Sequence, residues 1–208
     1  MLKNETDPKN TFLLAQTRAQ SEKAEDLCRL ANCYDFGIGT RKNIKHAFEL
    51  YREAANKGNP IAQYNLSLLY QDGKVIPKNL KQAFEWMKKS AKKDAEAMSD
   101  LGYMYVQGVG TKCDLKKAVA WYKKAAKKKV ARASYNLGLM AYSGEGMKQD
   151  DKAAIRYFKN AEKLGHKDSI LELARIYSDK ASKEQNKRLS KLYIKKAISL
   201  SFKEAKMF

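Results

Sequence analysis

A repeat of 35 or 36 residues is the feature that most constrains the fold of this 208-residue chain. Five leucines mark it at successive spacings of 36, 35, 36 and 36 residues: Leu30, Leu66, Leu101, Leu137 and Leu173. A small residue follows each leucine directly, and a glycine stands seven residues after each of the first four. A fixed period of this length predicts a stack of similar units, each of which buries its apolar face against its neighbours.

Each unit has the pattern of two helices joined by a turn. Apolar residues three and four positions apart surround the leucine, and a pair of large apolar residues recurs in the second half, as at Trp121 and Tyr122. An Asn or Asp stands thirteen residues after every leucine, where it can cap the second helix: Asn43, Asn79, Asp114, Asp150 and Asn186. We therefore predict a helix A, a turn that opens with a left-handed glycine, and a helix B in each unit.

The period also predicts the organisation of the whole chain. The units cover residues 24–59, 60–94, 95–130, 131–166 and 167–201, within a repeat region of residues 23–204. Asp7 followed by Pro8 is a helix start, which predicts a helix over residues 8–19 inside an N-terminal capping segment of residues 1–22. Residues 202–208 are expected to begin a truncated sixth unit or to form a C-terminal cap.

The third unit resembles the Sel-like repeat (SLR), a relative of the tetratricopeptide repeat. The residues that carry the resemblance are Ala97, Leu101, Gly102, Tyr105, Gly108, Gly110, Asp114, Lys117, Ala118, Trp121, Tyr122, Lys124, Ala125 and Ala126. The resemblance implies an all-α, right-handed α/α superhelical solenoid of about five helix pairs that acts as a protein-interaction module or adaptor. Two units depart from the pattern. The second has Val75 for the second glycine and Asp94 for the glycine that closes helix B, and the fifth lacks the Gly-x-Gly.

By this resemblance, a peptide or partner protein binds in a concave groove lined by the A helices. Residues one and two positions before each leucine, and two after it, face away from the packed side of helix A. The candidate groove residues at these positions are Arg29, Asn32, Tyr64, Asn65, Asp100, Tyr103, Tyr135, Asn136 and Arg175. Tyrosine and asparagine combine contact area with hydrogen-bonding tips, so Tyr64, Tyr103 and Tyr135 are the expected anchors. The alternative is that some of these tyrosines pack between repeats.

The charge is strongly basic, with 42 basic and 23 acidic residues, a net charge of +19 and a pI near 9.7. Such a charge attracts acidic proteins, nucleic acid or anionic membrane without choosing among them. The lysines concentrate on B helices, as Lys88, Lys89, Lys92, Lys93, Lys123, Lys124, Lys127 and Lys128. This basic face is either a solvated outer surface or an electrostatic platform for nucleic acid or membrane.

The residues that commonly carry catalysis or bind metals are scarce. The three cysteines include no Cys-x-x-Cys pair, and the only histidines are His46 and His166. A helix precedes each Gly-x-Gly, whereas a phosphate-binding loop follows a strand. We therefore expect no catalytic residue, metal or cofactor, although the resemblance leaves β-lactam hydrolysis, linked to cysteine-rich relatives, as a weaker alternative. A cytoplasmic location, or export without a classical signal peptide, fits the reduced thiols and the absence of a long apolar run.

Overall fold

The computed structural model describes residues 7–179 and 184–205, which form eleven α-helices and no strand. The helices are α1 Pro8–Ala19, α2 Ala24–Phe36, α3 Ile44–Asn56, α4 Pro60–Asp72, α5 Leu80–Ser90, α6 Ala95–Gln107, α7 Leu115–Lys127, α8 Ala131–Ser143, α9 Asp151–Lys163, α10 Asp168–Asp179 and α11 Glu184–Ala205. From α2 onward, the even-numbered helices are A helices. The odd-numbered helices from α3 are B helices.

The predicted turn chemistry is confirmed in the first four repeats. Their A helices end at glycines in the left-handed region, with φ of +71°, +71°, +67° and +80° at Gly37, Gly73, Gly108 and Gly144. The B helices then begin at Asn43, Asn79, Asp114 and Asp150, whose side chains accept a hydrogen bond from the backbone N–H three residues later. These caps satisfy donors that the first turn of a helix leaves unpaired.

The second glycine of the turn packs against the start of the preceding B helix. A Cβ built at Gly110 would lie 2.0 Å from the carbonyl oxygen of Leu80, and one at Gly146 would lie 2.6 Å from that of Leu115. At Gly39 the corresponding neighbour is the carbonyl oxygen of Pro8, at 1.9 Å. The first turn of α1 therefore occupies the place that a B helix takes in the later repeats.

Aromatic packing supports the same view of α1. Phe12 meets Tyr34 edge to face with ring centroids 5.4 Å apart. The pairs Phe48–Tyr70 at 5.6 Å and Phe84–Tyr105 at 5.3 Å repeat this geometry. The helix predicted over residues 8–19 is thus confirmed, with the Asp7 carboxylate accepting from the Lys9 N–H at 3.0 Å. It packs on α2 as a B-type helix.

Two local predictions were wrong. Asn186 does not cap a helix, because α11 begins at Glu184 and contains it; the turn expected before it falls on residues 180–183, outside the described part of the chain. Asp94 does not stand in for a closing glycine. It caps α6 by accepting from the Ala97 N–H at 2.7 Å, as Asn59 does for Ala62 at 2.8 Å, since the second repeat is one residue short.

The C-terminal helix passes through the predicted boundary at residue 202. Helix α11 continues without a break to Ala205, and residues 206–208 lie outside the described residues. Ser201 stands one period after Gly165, which has a φ of +90° and closes the turn after α9. Without a glycine there, the backbone keeps its right-handed helical conformation.

The chain divides into two compact units, residues 1–113 (unit 1) and residues 114–208 (unit 2). In unit 1 the fully buried Tyr51, Leu66 and Met87 lie in the core. In unit 2 the core contains Phe158, Leu173 and Ile176. Gly138 follows the repeat leucine there, and a Cβ on it would lie 2.6 Å from the Phe158 ring. The small residue after the leucine therefore makes room for an aromatic ring of helix B.

Candidate protein-binding surface

The A helices of unit 1 present a continuous row of polar and apolar side chains, which we call the A-face. It consists of Asn32 on α2, Tyr64, Asn65 and Leu68 on α4, and Asp100 and Tyr103 on α6. These residues stand at the positions predicted to face away from the packed side of helix A. Their repeat spacing carries the row from one A helix to the next.

Hydrogen bonds join neighbouring A helices along this row. The Tyr64 hydroxyl donates to a carboxylate oxygen of Asp100 at 2.7 Å, which links α4 to α6. The Asn65 amide donates to Asn32 Oδ1 at 3.4 Å, which links α4 to α2. These bonds hold the polar part of the A-face in one arrangement before any ligand arrives.

A buried tyrosine of helix α3 donates a hydrogen bond to the polar row of the A-face. The hydroxyl of the fully buried Tyr51, on α3, donates to Asn32 Oδ1 at 2.6 Å and lies 3.3 Å from Asp35 Oδ2. Burial, followed by the nearby Asp35 carboxylate, raises the pKa of this phenol well above its usual range. The hydroxyl therefore remains protonated and continues to donate to Asn32.

Large apolar side chains are exposed beside the hydrogen-bonded row. Tyr103 is 53% exposed and Leu68 is 41% exposed, and the two occupy the same position in successive repeats. Ile61 is 52% exposed two turns before Leu68 on α4. The A-face thus combines fixed polar groups with accessible apolar surface, the combination found in protein-binding sites.

The A helices of unit 2 differ in detail. Tyr135 is half-buried and stacks on His166 with centroids 4.3 Å apart, so packing between elements accounts for this tyrosine. Burial, followed by Glu172 and Asp168, raises the Tyr135 pKa. Arg175 is exposed, but its guanidinium donates twice to Glu172, at 2.8 and 3.1 Å, and lies over the Tyr142 ring.

The remaining candidate positions vary in what surrounds them. Asn136 is half-buried on α8 and makes no side-chain hydrogen bond within the described residues. Its amide can therefore form hydrogen bonds with a ligand. Arg29 is exposed and pairs with Asp26 at 3.1 Å. Two of the positions assigned to the outward side, Cys28 and Ser99, are instead buried, because small side chains there fit beneath the adjacent helices.

The eight lysines of the predicted basic face are all exposed. Two of them lie over tryptophan rings one turn earlier on the same helix: Lys89 Nζ is 3.7 Å from the centroid of Trp86, and Lys124 Nζ is 4.1 Å from that of Trp121. Trp86 is buried and Trp121 is half-buried beneath its lysine, so neither ring is open to stack on nucleic-acid bases.

The sequence did not single out several exposed or cleft-lining residues. Ile61 was not among the candidates, nor was Arg156, which lines a cleft in unit 2; Leu68 stood at a position predicted to face outward but was not named as a binding residue. The sequence did contain a signal for Arg156. The first two repeats, both in unit 1, carry Glu49 and Glu85 at the same repeat position, so the charge there changes from negative to positive.

No group of three or more His, Cys, Asp or Glu side chains able to hold a metal occurs among the described residues. Cys28 and Cys33 are buried, and burial raises the pKa of the Cys28 thiol to about 11. No described helix combines the length and hydropathy needed to cross a membrane.

The family of the chain follows from its repeats. The model of the Sel1 repeat matches residues 24–59, 60–94, 95–130 and 131–166, which together make up more than half of the chain. The chain belongs to the Sel1 repeat family. Members of this family are generally protein-interaction modules.

Two solved structures of Sel1 repeat proteins resemble most of the chain. One is a protective antigen with an SLR fold from uropathogenic Escherichia coli, with a TM-score of 0.85 and 29% identity over 90% of this chain and 40% of that one. The other is a Sel1 repeat protein from Oxalobacter formigenes, with a TM-score of 0.79 and 27% identity over 92% of this chain and 80% of that one. The predicted all-α SLR fold class is confirmed.

Curated relatives match about half of the chain. Chitin synthase regulatory factor 3 of Schizosaccharomyces pombe is 32% identical over 108 residues, and regulatory factor 2 of the same yeast is 33% identical over 109 residues. The matched segments make up 50% and 51% of this chain but only 12% and 20% of those proteins. The chain therefore corresponds to a small part of each relative.

Proposed function

We propose that this Sel1 repeat protein is an adaptor that binds a segment of a partner protein on the A-face of unit 1. The observation that carries the proposal is the exposure of Tyr103 and Leu68, at equivalent positions of successive repeats, beside the hydrogen-bonded pair Tyr64–Asp100. Successive repeats then contact successive parts of an extended or helical ligand.

The apolar and the polar side chains of the A-face contribute to binding in different ways. Tyr103 and Leu68 lose exposed apolar surface on binding, which contributes favourable free energy. The polar row is already held in place, so little side-chain entropy is lost when a ligand contacts it. The Asn65 amide nitrogen contacts Asn32 and Tyr51, which leaves its carbonyl oxygen to accept from the N–H of a peptide backbone.

The relatives support a regulatory role exercised by binding. Two of them are named as regulatory factors of chitin synthase, and each shares an aligned segment of about half of this chain. We propose by analogy that this chain changes the behaviour of its partner through contact rather than through chemistry. Its three free cysteines, two of them buried, support a reducing compartment such as the cytoplasm as the place of action.

Site-specific photo-crosslinking tests the proposal and identifies the partner in the same experiment. Benzoylphenylalanine is placed at Tyr103 or at Leu68 on the A-face, and at Lys88 on α5 as the matched control in the same unit. Illumination in an extract of the source organism should give one discrete crosslinked protein from the first two positions and none from the third. The same crosslinked protein obtained from Lys88 alone would contradict binding on the A-face and would indicate a site on the B helices.

A second candidate function is an electrostatic platform on the B-helix lysines. It is favoured by the absence of acidic residues between Asp114 and Glu145, a stretch that includes eight lysines and arginines. Binding to a phosphate backbone would weaken steeply with added salt, whereas A-face binding through apolar and amide contacts would change little.

A further inference from the structure

A cleft of about 380 Å³ lies on the B-helix side of unit 2. It is lined by Lys123, Ala126 and Lys127 of α7, Leu137 of α8, and Arg156, Tyr157 and Asn160 of α9. Lys123 and Lys127 are four residues apart, as are Arg156 and Asn160, so each pair lies on one face of its helix. The cleft and the A-face share no residue.

The charge lining this cleft is positive and uncompensated. Lys123, Lys127 and Arg156 all contribute to its wall, and no lining residue is acidic. None of the three forms an ion pair within the described residues. Three like charges around one cavity repel one another, so an anion placed among them is stabilised.

The wall also contains polar and apolar surface. Asn160 is oriented by its amide, which donates to Ser134 Oγ at 2.9 Å. The Arg156 guanidinium lies 5.5 Å from the centroid of Tyr157, which restricts its position. The half-buried Ala126 and Tyr157 give the cleft apolar contact area, above the fully buried Leu137. A ligand with both a charged group and a short apolar stem fits this lining.

We propose that the cleft binds a phosphorylated side chain of a partner protein. A phosphomonoester carries a charge of about −1.5 to −2 at neutral pH and three acceptor oxygens, which suits two lysines and one arginine better than a single carboxylate does. A membrane surface would contact exposed lysines without entering a cleft. A nucleic-acid strand would use the whole basic face equally, including lysines outside the cleft.

Unit 1 shows that the cleft's charge is not a general property of the repeat. Two periods earlier, the positions of Lys123, Lys127 and Arg156 are held by Arg52, Asn56 and Glu85. Of the three cations, one remains, and an acidic residue replaces the arginine. The repeat fold therefore does not require this set of charges.

The test uses the full chain and a peptide library with a fixed central phosphoserine and random flanks. Binding is measured by calorimetry, and the site by amide chemical shifts in NMR spectra. We expect the library to shift Lys123, Lys127 and Arg156, and Arg156→Glu to weaken its binding at least tenfold. The control Lys148→Glu with Lys152→Glu, which removes more charge from exposed positions outside the cleft, should change binding less than twofold.

Three results would overturn the inference. The first is equal binding of the unphosphorylated library, and the second is undiminished phosphopeptide binding by Arg156→Glu. The third is tighter binding to anionic vesicles or to a single-stranded oligonucleotide, weakened equally by the cleft and control variants, which would indicate general electrostatic attraction. Arg156→Gln removes the charge without reversing it, and its phosphopeptide binding should also fall. Its circular dichroism spectrum shows whether the fold is kept, so that a loss of binding can be separated from a loss of fold.

Discussion

The two units differ more in surface charge than in internal architecture. Residues 1–113 carry 18 basic and 13 acidic side chains, a net charge of +5, whereas residues 114–208 carry 24 and 10, a net charge of +14. Both units use the same capped B helices and the same left-handed glycines at the ends of their A helices. The positions that build the repeat are therefore kept, while the exposed positions take on different chemistries.

The difference extends to the A helices. In unit 1 hydrogen bonds join neighbouring A helices beside exposed Tyr103 and Leu68. In unit 2 internal contacts engage part of the corresponding surface, with Tyr135 stacked on His166 and Arg175 paired with Glu172, while Leu171 is 58% exposed. Unit 1 thus offers a surface suited to a protein segment, and unit 2 offers a basic cleft.

The largest effect should come from the shared turn. In Gly110→Ala the new methyl group would lie 2.0 Å from the Leu80 carbonyl oxygen at a φ of +68°, so we expect the free energy of unfolding to fall by at least about 3 kcal/mol. Gly58→Ala is the matched control, because its φ is also positive, at +90°, but nothing lies within 4 Å. Its expected cost is about 1–2 kcal/mol. Urea denaturation measures both, and equal losses would contradict the packing of the turn on the preceding B helix.

A smaller effect is expected from the buried support of the A-face. Tyr51→Phe removes the hydroxyl that donates to Asn32 at 2.6 Å and should cost about 1–2 kcal/mol of unfolding free energy. Phe158, which holds the same repeat position in unit 2, shows that the fold accommodates the ring alone. The exposed Tyr103→Phe serves as control, with a change within about 0.5 kcal/mol. No loss in Tyr51→Phe would show that the network does not stabilise unit 1.

The smallest effect is expected in the pH dependence of stability, through His166 in unit 2. Burial lowers the pKa of His166, so the folded chain binds fewer protons there than the unfolded chain as pH falls through about 6.5. The contribution of this neutral imidazole to stability is therefore present above that pH and is lost as pH falls toward the folded-state pKa. Asp168 opposes the shift and Arg132 adds to it. Between pH 7.5 and 5.5 the parent should lose more stability than His166→Asn; equal losses in denaturant midpoints would contradict this assignment.

The sequence predicted the turns because their chemistry is local. A glycine at a left-handed position or an Asn before a helix acts within a few residues, so Gly108 and Asp114 could be assigned from spacing alone. The C-terminal end of α11 was harder to predict, since it depends on whether the chain leaves the helix at Ser201. Spacing also missed that Asp94 is a cap, because the second repeat is one residue short.

The candidate surface was less accessible to sequence reasoning. Spacing gives the direction of a side chain from its helix, but burial also depends on the size of the neighbours, which hides Cys28 and Ser99. The role of Tyr135 is decided by His166 on a later turn of the chain, a contact that the period does not reveal. The cleft around Arg156 combines residues from three helices, and no single motif marks it.

The central claim is that the A-face of unit 1 binds the partner, and partner affinity of paired variants tests it most directly. The protein recovered by crosslinking is titrated against Leu68→Ala with Tyr103→Ala, and against Lys88→Glu with Lys92→Glu, at physiological salt. We expect a loss of about 2 kcal/mol or more in binding free energy for the first pair, the scale of an interface hot spot, with an unchanged melting temperature. The second pair should alter mainly the association rate and its salt dependence. Abolished binding in the lysine pair, together with normal binding in the Leu68 and Tyr103 pair, would contradict it.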